Sequence, residues 1–238
     1  MMSLSRMRLL QLASQALPIG GYSHSHGLEP AIEAGIVRDE KSLCAWIADV
    51  LAFCMIRFEV PQLMMMADAW SAQDLPSLRC LNHEYLATRE SSELRAATVQ
   101  MGYSLRALAA ALPDLPESLH GFLKAVEEPS LPCVWSGIAQ AWEIEPTDSA
   151  GAYLWSWTEN QVLVAVKTVP LGQSAGQRVL LAIAERIACA VQALRPVQTV
   201  RPVQALRAAD SAGRSNFAPG LAILSAGHET QYSRLFRS

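Results

Sequence analysis

Apolar positions along this chain recur with a helical period. Leu43, Trp46, Ile47, Val50, Leu51 and Cys54 fall at i, i+3, i+4, i+7, i+8 and i+11, one face of an α-helix. Asp39 and Glu40 stand where acids complement the positive start of that helix. Leu180, Ile183, Ile187, Val191 and Leu194 repeat the period. Residues 78–94 and 96–112 are rich in Ala, Leu, Arg and Glu, which favour helix. Residues 134–142 and 153–169 are apolar on all sides, so they are expected deep in the fold. Pro18, Gly20 and Gly21 break a first short helix, Pro61 kinks or ends the helix begun near Asp39, and Pro113/Pro116 and Pro129/Pro132 bracket turns. No alternating run of β-branched residues appears. The pattern predicts an all-α, single compact domain of eight to ten helices.

One segment breaks the order. Arg195-Pro-Val-Gln198 recurs as Arg201-Pro-Val-Gln204, and two prolines six residues apart oppose a continuous helix. Residues 195–215 therefore read as an irregular linker closing a domain at 1–215. Residues 216–238 read as a tail whose apolar anchors Phe217, Leu221, Tyr232, Leu235 and Phe236 are interleaved with Arg234 and Arg237.

Composition narrows the function classes. With 238 residues, 51% hydrophobic and 17% charged, the chain is too apolar for disorder and long enough for a sizeable core. No uncharged apolar run reaches the ~18 residues of a membrane span. Arg6, Arg8 and several serines faintly resemble a targeting segment, but Gln11, Ser14 and Gln15 interrupt any apolar stretch, so no cleaved signal is expected. The net charge is −3, yet from Arg195 onward six arginines face only Asp210 and Glu229. A modest basic tail on an acidic body suits a protein partner better than nucleic acid. Arginine outnumbers lysine 16 to 3, and arginine is the better interface cation, although codon bias explains the ratio equally well. Cys44, Cys54, Cys80, Cys133 and Cys189 are scattered with no C-x-x-C pair, which points to small buried hydrophobes in a reducing cytoplasm.

Catalytic signatures are missing. There is no phosphate loop, no dinucleotide fingerprint and no nucleophile elbow. His83-Glu84 and His228-Glu229 lack the second histidine of a zinc helix. His24 and His26 could share a metal only weakly, since two ligands leave a transition metal open. Glu127–Glu128 and Glu143/Glu145 read as solvated faces, and Met64–Met66 and the tryptophans mostly as core. A small α-helical enzyme or metal binder using the His24/His26 loop or His83/Glu84 stays the alternative. Two loop motifs carry more: Leu17-Pro-Ile-Gly20 leading to Gly27-Leu-Glu29, and residues 166–177, where Ser174 and Gln177 make an S-x-x-Q capping box. Capping does not account for Lys167 or Gln173.

Together with Thr88-Arg-Glu-Ser-Ser-Glu-Leu-Arg95, Gln100-Met-Gly102, Pro170-Leu-Gly-Gln-Ser-Ala-Gly-Gln177 and the tail from His228 to Ser238, these strings resemble the UreF family of urease accessory proteins over nearly the whole chain. The resemblance implies an all-α, commonly dimeric protein with no catalysis of its own. It implies a maturation factor, or chaperone, that bridges UreD (UreH) and the GTPase UreG and helps nickel reach apo-urease, with nickel in transit and no cofactor held tightly. It associates the tail (His228, Glu229, Tyr232, Arg234, Leu235, Phe236 and Arg237) with UreD. It places Gly27, Glu29, Lys167, Pro170, Gly172, Gln173, Ser174 and Gly176 in a UreG-facing or nickel-passing patch. The chain departs from the family at the Arg-Pro-Val-Gln duplication, at Ala226-Gly227, where a larger pair is frequent, and at His24, onto which no metal role is carried.

Overall fold

A computed structural model describes residues 3–194, 214–229, 231, 232 and 234–237. The anticipated linker therefore lies almost wholly outside the described residues. The remainder is helical, with no strand among the described residues: α1 (Leu4–Ala13), α2 (Leu28–Glu33), α3 (Glu40–Val50), α4 (Val60–Ser71), α5 (Leu75–Ala87), α6 (Ser92–Ala111), α7 (Glu117–Ala125), α8 (Leu131–Ala141), α9 (Pro146–Thr168), α10 (Gln173–Leu194) and α11 (Pro219–His228).

Asp39 starts α3 with a reciprocal cap: its carboxylate accepts from the Ser42 amide at 2.8 Å, and the Ser42 hydroxyl accepts from the Asp39 amide at 3.1 Å. The helix then buries Leu43, Ile47 and Val50, as the period requires. It does not end before Pro61. Residues Leu51–Glu59 form a π-helix that runs directly into α4, with Pro61 in the first turn of α4. The wide π-helical turn alters the upstream hydrogen-bond register where a proline would otherwise break it.

The helix expected over 78–94 is divided. Thr88 ends α5 by donating its hydroxyl to the Tyr85 carbonyl at 2.7 Å, and Ser91 caps α6 by accepting from the Leu94 amide at 3.1 Å. The capping box expected at Ser174 is also absent, because α10 already begins at Gln173 and Ser174 lies inside its first turn.

α9 forms the spine, packing against α1, α2, α3, α4, α8 and α10, while α8 fills the gap between α4 and α6. The apolar segments 134–142 and 153–169 lie in these two central helices, with Trp135, Ile138, Leu154 and Ala165 buried. Gly102 is required where α6 crosses the next loop: a Cβ there would lie 2.0 Å from the Pro129 carbonyl oxygen. Several arginines make bonds within the fold. Arg79 and Arg106 donate to the carbonyls of Ala125, Leu123 and Val126, which close the end of α7. Met65 and Met66 are core residues. All five cysteines are free; Cys54 and Cys133 are buried, but Cys80 and Cys189 are exposed, contrary to expectation.

Candidate functional site

Three strings far apart in sequence meet at one end of the bundle. The first is the start of α2. Gly27 sits in the left-handed region at φ +84°, and a Cβ there would lie 2.6 Å from Leu221 Cδ1. Only glycine satisfies both the backbone angle and the close approach of α11. This turn aims Glu29 inward, where its side chain is almost fully buried.

The tail closes on that carboxylate. Glu29 Oε1 accepts from the Leu235 amide at 2.7 Å, and Oε2 accepts from the Phe236 amide at 3.0 Å. His228, wholly buried, places Nε2 at 3.1 Å from Glu29 and Nδ1 at 2.5 Å from Glu93. One ring thus ties together two carboxyl groups from different helices, Glu29 of α2 and Glu93 of α6. Glu93 also receives Arg234 Nη1 at 2.5 Å, and Arg234 Nη2 donates to the Glu229 carbonyl at 2.7 Å. Glu229 in turn accepts from the amide and hydroxyl of Ser92, which pulls its carboxyl below the ordinary range. Ser91 and Ser225 bond to each other at 2.6 Å, and Gln231 donates to Glu33. The Arg237 amide donates to the Ser23 carbonyl at 2.8 Å.

The tail residues thus divide in two. His228 and Phe236 point into the body, whereas Tyr232 is fully exposed and Leu235 is 74% exposed. Lys167, near the end of α9, lies with Nζ 5.9 Å from the Phe236 ring centroid. Tyr22, Ser23, Lys167, Leu235, Phe236 and Arg237 line one groove. Gly27 and Glu29 are therefore buried supports of the tail, and exposed Lys167 borders the tail's groove, although the resemblance associates all three with a different partner from the tail. Pro170, Gly172, Gln173 and Ser174 are exposed, and among the described residues no hydrogen bond or ion pair joins them to the tail. Gly176 is buried where α10 meets α9; its Cβ would touch Val162 at 3.0 Å. It serves packing.

Sequence reasoning missed Glu93, although it lies inside a quoted string. It also missed a buried network beneath this end. Glu59 accepts from Arg89 Nη1 at 2.7 Å and from the Tyr153 hydroxyl at 2.9 Å. Burial pushes the Glu59 carboxyl up, but the Arg89 charge and these hydrogen bonds outweigh it, leaving a net shift downward. Glu59 ends the π-helix, and such segments are frequent at functional sites.

The His24 and His26 rings stand edge-on with centroids 6.2 Å apart. Burial lowers each to a pKa of about 4, helped at His24 by the charges of His26 and Arg237. No group of three or more His, Cys, Asp or Glu suited to a metal occurs among the described residues. No helix among them is long and apolar enough to cross a membrane.

A UreF family model matches residues 37–184. The chain is 49% identical to the urease accessory protein UreF of Dechloromonas aromatica, covering 97% of this chain and 96% of that protein. It is 50% identical to its counterpart from Azoarcus sp., covering 98% and 95%. It is 46% identical to that of Methylobacillus flagellatus, covering 99% of both. By the family model over more than half of its length and by these identities over nearly all of it, the all-α chain belongs to the UreF family of urease accessory proteins.

Proposed function

We propose that this chain is a urease maturation factor that joins UreD (UreH) to the GTPase UreG, so that nickel, as cargo, reaches apo-urease. The observation that carries this reading is the convergence of Glu29, Glu93 and Lys167 on the tail. The tail is held by buried carboxylates, so Tyr232, Leu235 and Arg237 are presented on a firm base. Exposed aromatic and apolar residues beside cations make good interface anchors. In this reading the outward tail residues meet UreD. The Lys167 side of the groove, with exposed Pro170, Gly172, Gln173 and Ser174, meets UreG. The chain itself contributes no catalytic group and acts by holding its partners in register. A second copy of the chain suits the exposed Leu4, Met7 and Leu10 of α1 and Leu181 of α10, which make apolar surface suited to burial in a dimer.

The test is co-purification of the full chain, and of a chain lacking residues 226–238, with UreD and UreG from the same source, read by size exclusion with light scattering. A ternary complex with the full chain that is lost on truncation is the expected result. A complex that survives truncation would remove the tail from the reading.

A further inference from the structure

Above the Glu59–Arg89 pair lies a cavity of about 70 Å³ whose wall includes Ile19, His26, Arg89, Met101, Trp135 and Asn160. A water occupies roughly 10–15 Å³ on such a measure, so there is room for a ligand of about four heavy atoms.

Arg89 is unusual within this fold. Its side chain is only 8% exposed, its guanidinium carbon stands 4.3 Å from the Tyr85 ring centroid, and Nη1 serves Glu59. Nε and Nη2 are buried and have no partner among the described residues. Those two nitrogens form the side-on edge with which a guanidinium grips a carboxylate. Arg178 shows the grip in this same molecule: its Nε and Nη2 donate to the two oxygens of Glu40 at 2.9 and 2.6 Å. In Arg89 that edge is unfilled, because Glu59 meets the guanidinium through Nη1 and not through Nε or Nη2. Buried charged donors without acceptors are costly and rare.

Two further features mark the place. Asn160 Oδ1, on the same cavity wall, is a buried acceptor without a partner. His26 holds a left-handed backbone at φ +52°, a strain that gathers at functional positions.

We propose that this cavity binds a small planar oxyanion of the carboxylate and carbonate class. Two of its oxygens accept from Arg89 Nε and Nη2, and a hydroxyl, where the anion has one, donates to Asn160. The site goes beyond the bridging role and does not depend on it.

The test is calorimetric titration of the full-length chain, alone, with sodium formate, bicarbonate and nitrate, against chloride at equal ionic strength. One saturable site for formate and bicarbonate is expected. Arg89→Lys, which keeps the charge but loses the fork, should weaken it about tenfold or more. Met101→Phe, which fills the cavity and leaves the Arg89–Glu59 pair in place, should abolish it and guards against a folding defect in the first variant. Chloride-like behaviour of all three anions up to tens of millimolar, or binding unchanged in both variants, would overturn the proposal.

Discussion

Glu29 holds Phe236 by its backbone: the carboxylate receives the Phe236 amide at 3.0 Å, across a separation of 207 residues. The bond fixes backbone and leaves the side chain free to bury against the bundle. Removing the carboxylate should therefore loosen the tail as a unit. Glu29→Ala is expected to raise hydrogen exchange at Leu235 and Phe236 and, under the proposed function, to weaken UreD binding. It should cost about 1–3 kcal/mol in denaturant unfolding, the scale of lost buried hydrogen bonds. Unchanged exchange at those two amides would contradict this.

Gly27 and Gly220 should respond to alanine with opposite signs. Gly27→Ala meets both the positive φ and the Leu221 methyl, and is expected to destabilise by about 1–3 kcal/mol. Gly220 lies in α11 with open space around its Cβ position. Alanine there should stabilise by up to about 1 kcal/mol through helix propensity. Chemical denaturation of the two variants side by side decides the matter.

Glu59 and Arg89 should be strongly coupled. Glu59→Leu strands a buried guanidinium and is expected to cost about 3–5 kcal/mol. Adding Arg89→Met should recover a large part of that loss. A double variant as unstable as the sum of the two singles would show that the pair is not the coupled unit the geometry indicates.

Acid should act first through His24 and His26. Burial holds both near a pKa of about 4, below the ordinary 6.5, so the fold favours their neutral forms. Their contribution is complete above pH 6.5 and is lost as the pH falls from 6.5 toward 4. Glu59, depressed below its ordinary 4.5, adds a further loss at lower pH. Urea midpoints measured from pH 7 to pH 4 should fall for the parent chain and fall less for His24→Gln.

Under the proposed function, Lys167→Ala should leave UreD binding intact and impair UreG recruitment, because Lys167 borders the tail's groove and no hydrogen bond joins its side chain to the tail among the described residues. Full urease activation by this variant would remove Lys167 from the interface.

Local patterns were readable in the sequence because each is written within a few residues. The apolar face of α3 and its Asp39 start are of this kind. So are the proline-bracketed turns and the depth of α8 and α9. What stayed hidden depends on partners far along the chain. The break at Thr88–Ser91 is a contest between helix propensity and two hydroxyl caps, and propensity alone favoured one long helix. Pro61 reads as a stop unless the π-helical register before it is known. Glu29 and Lys167 were singled out from the family strings, but their shared surface with the tail was not visible, because bonds spanning some 200 residues leave no periodic trace. Arg89 and Glu93 lay inside a quoted string, where nothing local distinguishes one buried charge from an exposed one.

The Glu29 clasp also bears on the order in which the protein becomes competent. The carboxylate and the amides it receives stand 206 and 207 residues apart in the chain. Contacts of such separation form only after the elements between them have been gathered, so the clasp closes on a bundle that is already largely folded. A cut anywhere between the helical body and the tail would leave the body without the clasp, so engagement of partners through this end would double as a test that body and tail are still joined.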